Sequence, residues 1–130
     1  MTEIRWLTRR MVAAFHQESQ ARFGGAGGIR DEGLLESALA RPRNRAAYGD
    51  DPSIFTLAAD YCAGIVRNHP FVDGNKRAGL LSAHVFLALN GWQFEPDEAM
   101  TVEIIEGLAA GRIGEDELTR WFAENSAPKT

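Results

Sequence analysis

Two helix-length runs of nearly uniform apolar character, Ile54–Val66 and Ala78–Leu89, constrain the fold of this chain more than any other feature of its sequence. In the first only Thr56, Asp60 and Tyr61 carry polar side-chain groups, and in the second only Ser82 and His84. A helix that is apolar nearly all round must be covered nearly all round. Both runs therefore belong at the centre of the fold. Between them lies the densest polar cluster of the chain, "RNHPFVDGNKRAG" from Arg67 to Gly79, held at one end of the core by two rigid supports.

The remaining segments read as shorter helices that wrap this pair. Thr8 caps a helix with Met11, Val12, Phe15, Ser19 and Phe23 on its inner side, and the glycine-rich "GGAGG" at 24–28 ends it. Asp31 caps a second helix striped with Leu34, Leu35, Ala38 and Leu39, which Pro42 is expected to halt. The basic "RPRNRAAYG" that follows, with Arg41, Arg43 and Arg45, reads as a solvated connector or a single turn, and Asp51-Pro52 as the start of the first central helix. Asn90-Gly91 stops the second central helix, and Pro96-Asp97 opens a segment that turns Val102, Ile105, Leu108 and Ala109 inward and closes at Gly111. Gly114 precedes a last helix with Leu118, Trp121 and Phe122, leaving residues 126–130 as a frayed tail. Strand signals are nearly absent. The expectation is a single all-α domain over residues 1–130, a compact bundle of about six or seven helices.

Composition narrows the function classes. A net charge of −4 over 130 residues excludes a surface that is basic throughout and argues against direct nucleic-acid binding, while leaving room for a local basic pocket. The lone Cys62 lies in an apolar run and reads as a buried, reduced thiol, consistent with a cytoplasmic location. No leader pattern or membrane-spanning run is apparent. Trp6, Trp92 and Trp121 are scattered and read as packing residues; His84 reads as a core histidine and His16 as an exposed one. None of these residues has zinc-site spacing.

The chemistry concentrates in the polar cluster. Pro70 ends the incoming helix, Phe71 anchors the loop, and Gly74 frees the backbone before a new helix begins near Asn75. That helix N-terminus presents unpaired N–H groups suited to phosphate. Lys76 and Arg77 place two cations where the helix dipole disfavours them, so an anion is expected beside them. His69 is the natural general base, and Asp73 suits Mg²⁺, which needs few protein carboxylates when phosphate and water complete its shell. Together these parts describe phosphoryl or nucleotidyl transfer.

"HPFVDGNKR", His69–Arg77, resembles the motif of the Fic/Doc superfamily, in particular its death-on-curing branch of toxin–antitoxin toxins. The likeness extends through "GIRDEGLLESALARPRN", "YGDDP", "FLALNGW" and "LAAGRIGEDELTRWF", in that order. It implies an α-helical Fic-type fold using ATP and Mg²⁺. His69 would deprotonate the target hydroxyl, Asp73 would bind the metal, and Gly74, Asn75, Lys76 and Arg77 would hold nucleotide phosphates. Fic enzymes that transfer AMP carry glycine at the position of Lys76 and a second arginine at that of Leu80. The substitutions seen here resemble the Doc branch, which implies phosphorylation of a threonine on elongation factor Tu and arrest of translation. AMP transfer, or a silent antitoxin-binding module, is the alternative. Neither Glu106-Gly107, Glu124-Asn125 nor Glu32-Gly33 follows a Ser or Thr at the spacing of the self-inhibiting Fic helix. The resemblance therefore implies restraint by a separate, Phd-like antitoxin.

Overall fold

The computed structural model describes residues 3–130, and within them the chain forms six helices and one small ribbon. In order these are α1 (Arg9–Phe23), α2 (Glu32–Tyr48), α3 (Ile54–Asn68), α4 (Asn75–Leu89), β1 (Trp92–Phe94), α5 (Glu98–Ala109), α6 (Glu115–Glu124) and β2 (Ser126–Pro128). Four helices start where a short oxygen-bearing side chain takes a backbone N–H of the first turn. Thr8 accepts from Met11, Asp31 from Leu34, Ser53 from Thr56, and Asp97 from Met100. The cap of α3 is thus Ser53 rather than the expected Asp51, which instead turns the chain with a positive φ of 50°.

Helix α3 is the axis of the fold: every residue from Leu57 to Val66 is buried, and α2, α4, α5 and α6 all pack on it. Two glycines set how closely its neighbours approach. A Cβ on Gly64 would lie 3.1 Å from the Cβ of Ala38 on α2, and one on Gly79 of α4 would lie 2.7 Å from Val66 Cγ2 and 3.0 Å from the Cys62 carbonyl. Cys62 is wholly enclosed, and burial pushes its thiol pKa up to about 12.

Several expectations are corrected. Pro42 does not halt α2, which continues for another turn and a half to Tyr48. The proline removes one helical N–H, but the turns beyond it are tied down by charge. Arg45 forms a two-pronged pair with the buried Asp60 of α3 at 2.6 and 2.9 Å, and Arg41 reaches the same carboxylate at 3.3 Å. Arg41 and Arg67 also both pair with Glu115 at the start of α6. Hence Arg41 and Arg45 are not a solvated connector: they neutralise a carboxylate that could not be buried unpaired. Arg43 lies over the ring of Trp6.

The tail is not frayed. Residues 126–128 pair antiparallel with 92–94, Phe94 opposite Ser126, and Lys129 donates its main-chain N–H to Gly91. Phe23, Val102 and Ala109, expected inside, are exposed. His84 is also exposed on α4, its ring edge-on to Phe94, rather than a core residue.

The tight α3–α4 approach yields a paired prediction. Gly79→Ala should destabilise the protein by about 1–3 kcal/mol through overpacking, whereas Gly33→Ala, on an exposed turn of α2, should stabilise it by up to about 1 kcal/mol through helix propensity. Urea denaturation of both variants tests the contrast.

Candidate active site

The loop between α3 and α4 is closed by one side chain. Asn75, the first residue of α4 and 7% exposed, accepts the Phe71 N–H through Oδ1 and donates Nδ2–H to the Phe71 carbonyl, both at 3.0 Å. The ring of Phe71 is buried in the core. These bonds draw residues 69–75 into a tight arch. Asn75 therefore spends its side chain on the arch, leaving its main-chain N–H as the group available to an anion.

Each side of the arch is held from outside. On the incoming side, His69 caps α3 in the left-handed region, φ 51° and ψ 55°. Such a conformation is uncommon for a residue with a Cβ and has to be held in place by its surroundings. Arg30 does this, donating to the carbonyls of His69 at 2.7 Å and Asn68 at 3.0 Å. The main-chain N–H groups of Arg30 and Asp31 both reach the Pro70 carbonyl, and Val72 donates to Gly28. The imidazole of His69 is exposed, with Nδ1 3.5 Å from Asn75 Nδ2. That is the outer limit of a hydrogen bond and leaves the tautomer open.

On the outgoing side stand two residues of α1. His16, expected at the surface, is only 2% exposed; its Nε2 donates to the Asp73 carbonyl at 2.6 Å, and its ring stacks on Phe71 with centroids 3.9 Å apart. Gln20, one turn on, donates to the Ala26 carbonyl and accepts from Arg77 at 2.8 Å. It also lies where a Cβ on Gly74 would fall, 2.2 Å from Gln20 Oε1, and Gly74 has φ 76°. The backbone there favours glycine, and a Cβ would force the Gln20 amide to move. Arg77 further donates to the Gly24 carbonyl at 3.1 Å and lies over Phe23.

The arch opens onto a cleft of about 440 Å³ whose far wall is α5. His69, Asp73, Gly74, Lys76 and Arg77 line its polar end, and Leu80, Val102 and Ile105 its apolar side. Every sequence-selected residue therefore meets in one cleft. Lys76 spans it, its ammonium 2.8 Å from Glu106 of α5. The Asp73 carboxylate accepts the Gly74 N–H with Oδ1 at 2.8 Å, leaving Oδ2 without a protein donor among the described residues.

Among the described helices only α4 has neither a capping side chain nor an acid in its first turn; like α1, which Thr8 caps, it carries two cations there, Lys76 and Arg77. Even α6, which also lacks a side-chain cap, has Glu115, Asp116 and Glu117 there. Unpaired N–H groups and two cations give this end of the cleft the chemistry that suits an anion.

No group of three or more His, Cys, Asp or Glu side chains suited to a metal ion occurs among the described residues. A single free carboxylate fits Mg²⁺ that arrives with phosphate oxygens and water, and does not fit a metal caged by protein alone.

The Fic/DOC family model matches residues 6–87, which include α1 to α4 almost entirely and the whole arch. This chain is a member of the Fic/Doc family. Two relatives of this Fic/Doc protein place it further. It is 34% identical over 110 residues, covering 85% of this chain and 86% of the relative, to the protein named "Protein kinase doc" of Escherichia phage P1. It is 44% identical over 77 residues, 58% of each chain, to "Toxin Doc" of Mycolicibacterium smegmatis. The wall formed by α5 lies beyond the family match.

The closure at Asn75 is testable in the free protein. Asn75→Asp keeps the acceptor for the Phe71 N–H but sets a carboxylate oxygen against the Phe71 carbonyl. It should cost about 1–3 kcal/mol in equilibrium denaturation, as for a buried polar group left unpaired.

Proposed function

We propose that this protein is the toxin of a toxin–antitoxin pair and a protein kinase. It transfers the terminal phosphoryl group of ATP to a threonine hydroxyl of a translation protein, elongation factor Tu, and so stops translation. The observation that carries this reading is the occupancy of two positions in the cleft: Lys76 stands where AMP-transferring Fic enzymes have glycine, and Leu80 where they have a second arginine. The lysine adds bulk and charge where those enzymes hold the outer phosphates, and the leucine removes a clamp. The nucleotide must then lie differently. The name of the phage relative, a protein kinase, supports the same direction.

In this mechanism the uncapped N–H groups of α4, with Lys76 and Arg77, bind the phosphate chain, while Leu80 and Ile105 offer an apolar surface to the rest of the nucleotide. Asp73 would hold Mg²⁺, which when bound neutralises charge on the phosphates. His69 accepts the proton of the target hydroxyl as its oxygen bonds to the terminal phosphorus; the bridging P–O bond breaks and ADP leaves. Arg30 keeps His69 at the mouth of the cleft in readiness for this step. Restraint by a small Phd-like antitoxin completes the proposal, in keeping with the name of the mycobacterial relative, a toxin.

Incubation with a translation extract and ATP labelled at either the α or the γ phosphorus tests the reading. We expect protein-bound γ label on a band the size of elongation factor Tu, absent with His69→Ala. Bound α label would mean AMP transfer instead. Label from neither position, with antitoxin binding retained, would mean a silent module.

A further inference from the structure

Helix α1 supplies no group to the cleft, yet it buries three polar side chains, Ser19 and, one turn apart and reaching the arch, His16 and Gln20. The last two are more than nine-tenths buried, and both bond to the arch and its flanking glycine loop rather than to α1 itself. Burying two polar side chains on a helix face where apolar residues would pack more simply needs a reason beyond stability.

We infer that His16 and Gln20 are positioning residues that act on different halves of the site, His16 on the metal-binding carboxylate of Asp73 and Gln20 on the phosphate-binding guanidinium of Arg77. The inference deepens the proposed reading of the cleft and rests on it for the roles of Asp73 and Arg77.

The geometry separates the two tasks. A carbonyl oxygen can only accept, so His16 Nε2 must carry a proton, and its bond fixes the peptide between Asp73 and Gly74. The same peptide's N–H is held by Asp73 Oδ1, so one rigid unit joins His16 to the carboxylate. Stacking on Phe71 fixes the plane of the imidazole and hence the direction of its N–H. Gln20 has no bond to Asp73. Its amide oxygen takes the Arg77 N–H, and its amide nitrogen secures Ala26 in the glycine-rich loop whose Gly24 carbonyl is the other acceptor of Arg77. Both bonds run from Nη2, and among the described residues Nε and Nη1 have no acceptor, which leaves them to meet a phosphate. Groups that orient a metal ligand or a phosphate ligand typically change affinity without touching the ligand.

The division of labour is what a test can resolve. His16→Phe keeps a ring on Phe71 and deletes the donor; His16→Gln keeps a donor near the Nε2 position and deletes the ring; Gln20→Met keeps volume and deletes both polar atoms. The full-length variants are titrated calorimetrically with a non-hydrolysable ATP analogue, once in EDTA and once in excess Mg²⁺, after thermal melts show that they fold.

For His16→Phe we expect unchanged affinity in EDTA and about a tenfold loss of the strengthening that Mg²⁺ brings, largely restored in His16→Gln. For Gln20→Met we expect about a tenfold loss in EDTA with the Mg²⁺ effect preserved. Equal losses under both conditions for both variants would reveal general loosening and overturn the assignment, as would no loss in either.

A ligand-free readout keeps the test independent of the proposed reaction. The Gly74 amide, which donates to Asp73, should exchange with solvent faster in His16→Phe than in the unaltered protein, and His16→Gln, which keeps the donor, should restore most of the protection. An unaltered rate in His16→Phe overturns the role of His16 whatever the nucleotide does. Absence of any Mg²⁺ effect in the unaltered protein, with the exchange difference present, would count against the metal role of Asp73 while the strut stands.

Discussion

The paired hydrogen bonds between Asn75 and the main chain of Phe71 are the interaction from which the rest of the site is measured. They fold the link between the two most buried helices into an arch, so that the end of α3 and the start of α4 face a common cleft. Without them Phe71 would present unpaired main-chain groups inside the core, a costly arrangement that leaves the loop little freedom to choose another shape. Because α3 and α4 approach closely at Gly79, the arch inherits their rigidity. A site preorganised in this way does not have to order its own backbone when a ligand binds.

Charge is distributed to suit that architecture. Toward the core, positive and negative groups cancel, as Asp60 does with Arg41 and Arg45. At the start of α4 the dipole, Lys76 and Arg77 share one sign, and against them, among the described residues, stand only Asp73, which holds the Gly74 N–H, and Glu106, which meets Lys76 across the cleft. That pair is half exposed and thus weak, so an incoming polyphosphate can displace it at small cost. The proposed nucleotide, which brings several negative charges at once, suits such a cleft.

Much of this was legible in the sequence because it is local. The arch occupies consecutive residues, the caps lie three residues from the N–H groups they accept, and the two central helices announce themselves by uniform apolarity. The family pattern reinforced those features.

What escaped depends on partners far along the chain. Pro42 reads as a stop until Arg41 and Arg45 find Asp60 on another helix, and the tail reads as frayed until residues 126–128 meet 92–94. Likewise His16 looks like a surface residue because its acceptor lies 57 positions away. One signal did point inward: Val12, His16, Ser19 and Gln20 recur at helical spacing, so a reading of the whole face rather than of its apolar members alone would have buried them.

The most direct test of the central claim is to map where nucleotide sits on the protein. Amide chemical shifts followed during titration with Mg²⁺ and a non-hydrolysable ATP analogue should move at Gly74–Arg77 and Thr101–Glu106, the two walls of the cleft, and stay fixed around β1 and β2. Shifts centred on the ribbon or on the α2 face near Arg43, with residues 74–77 unmoved, would contradict the account.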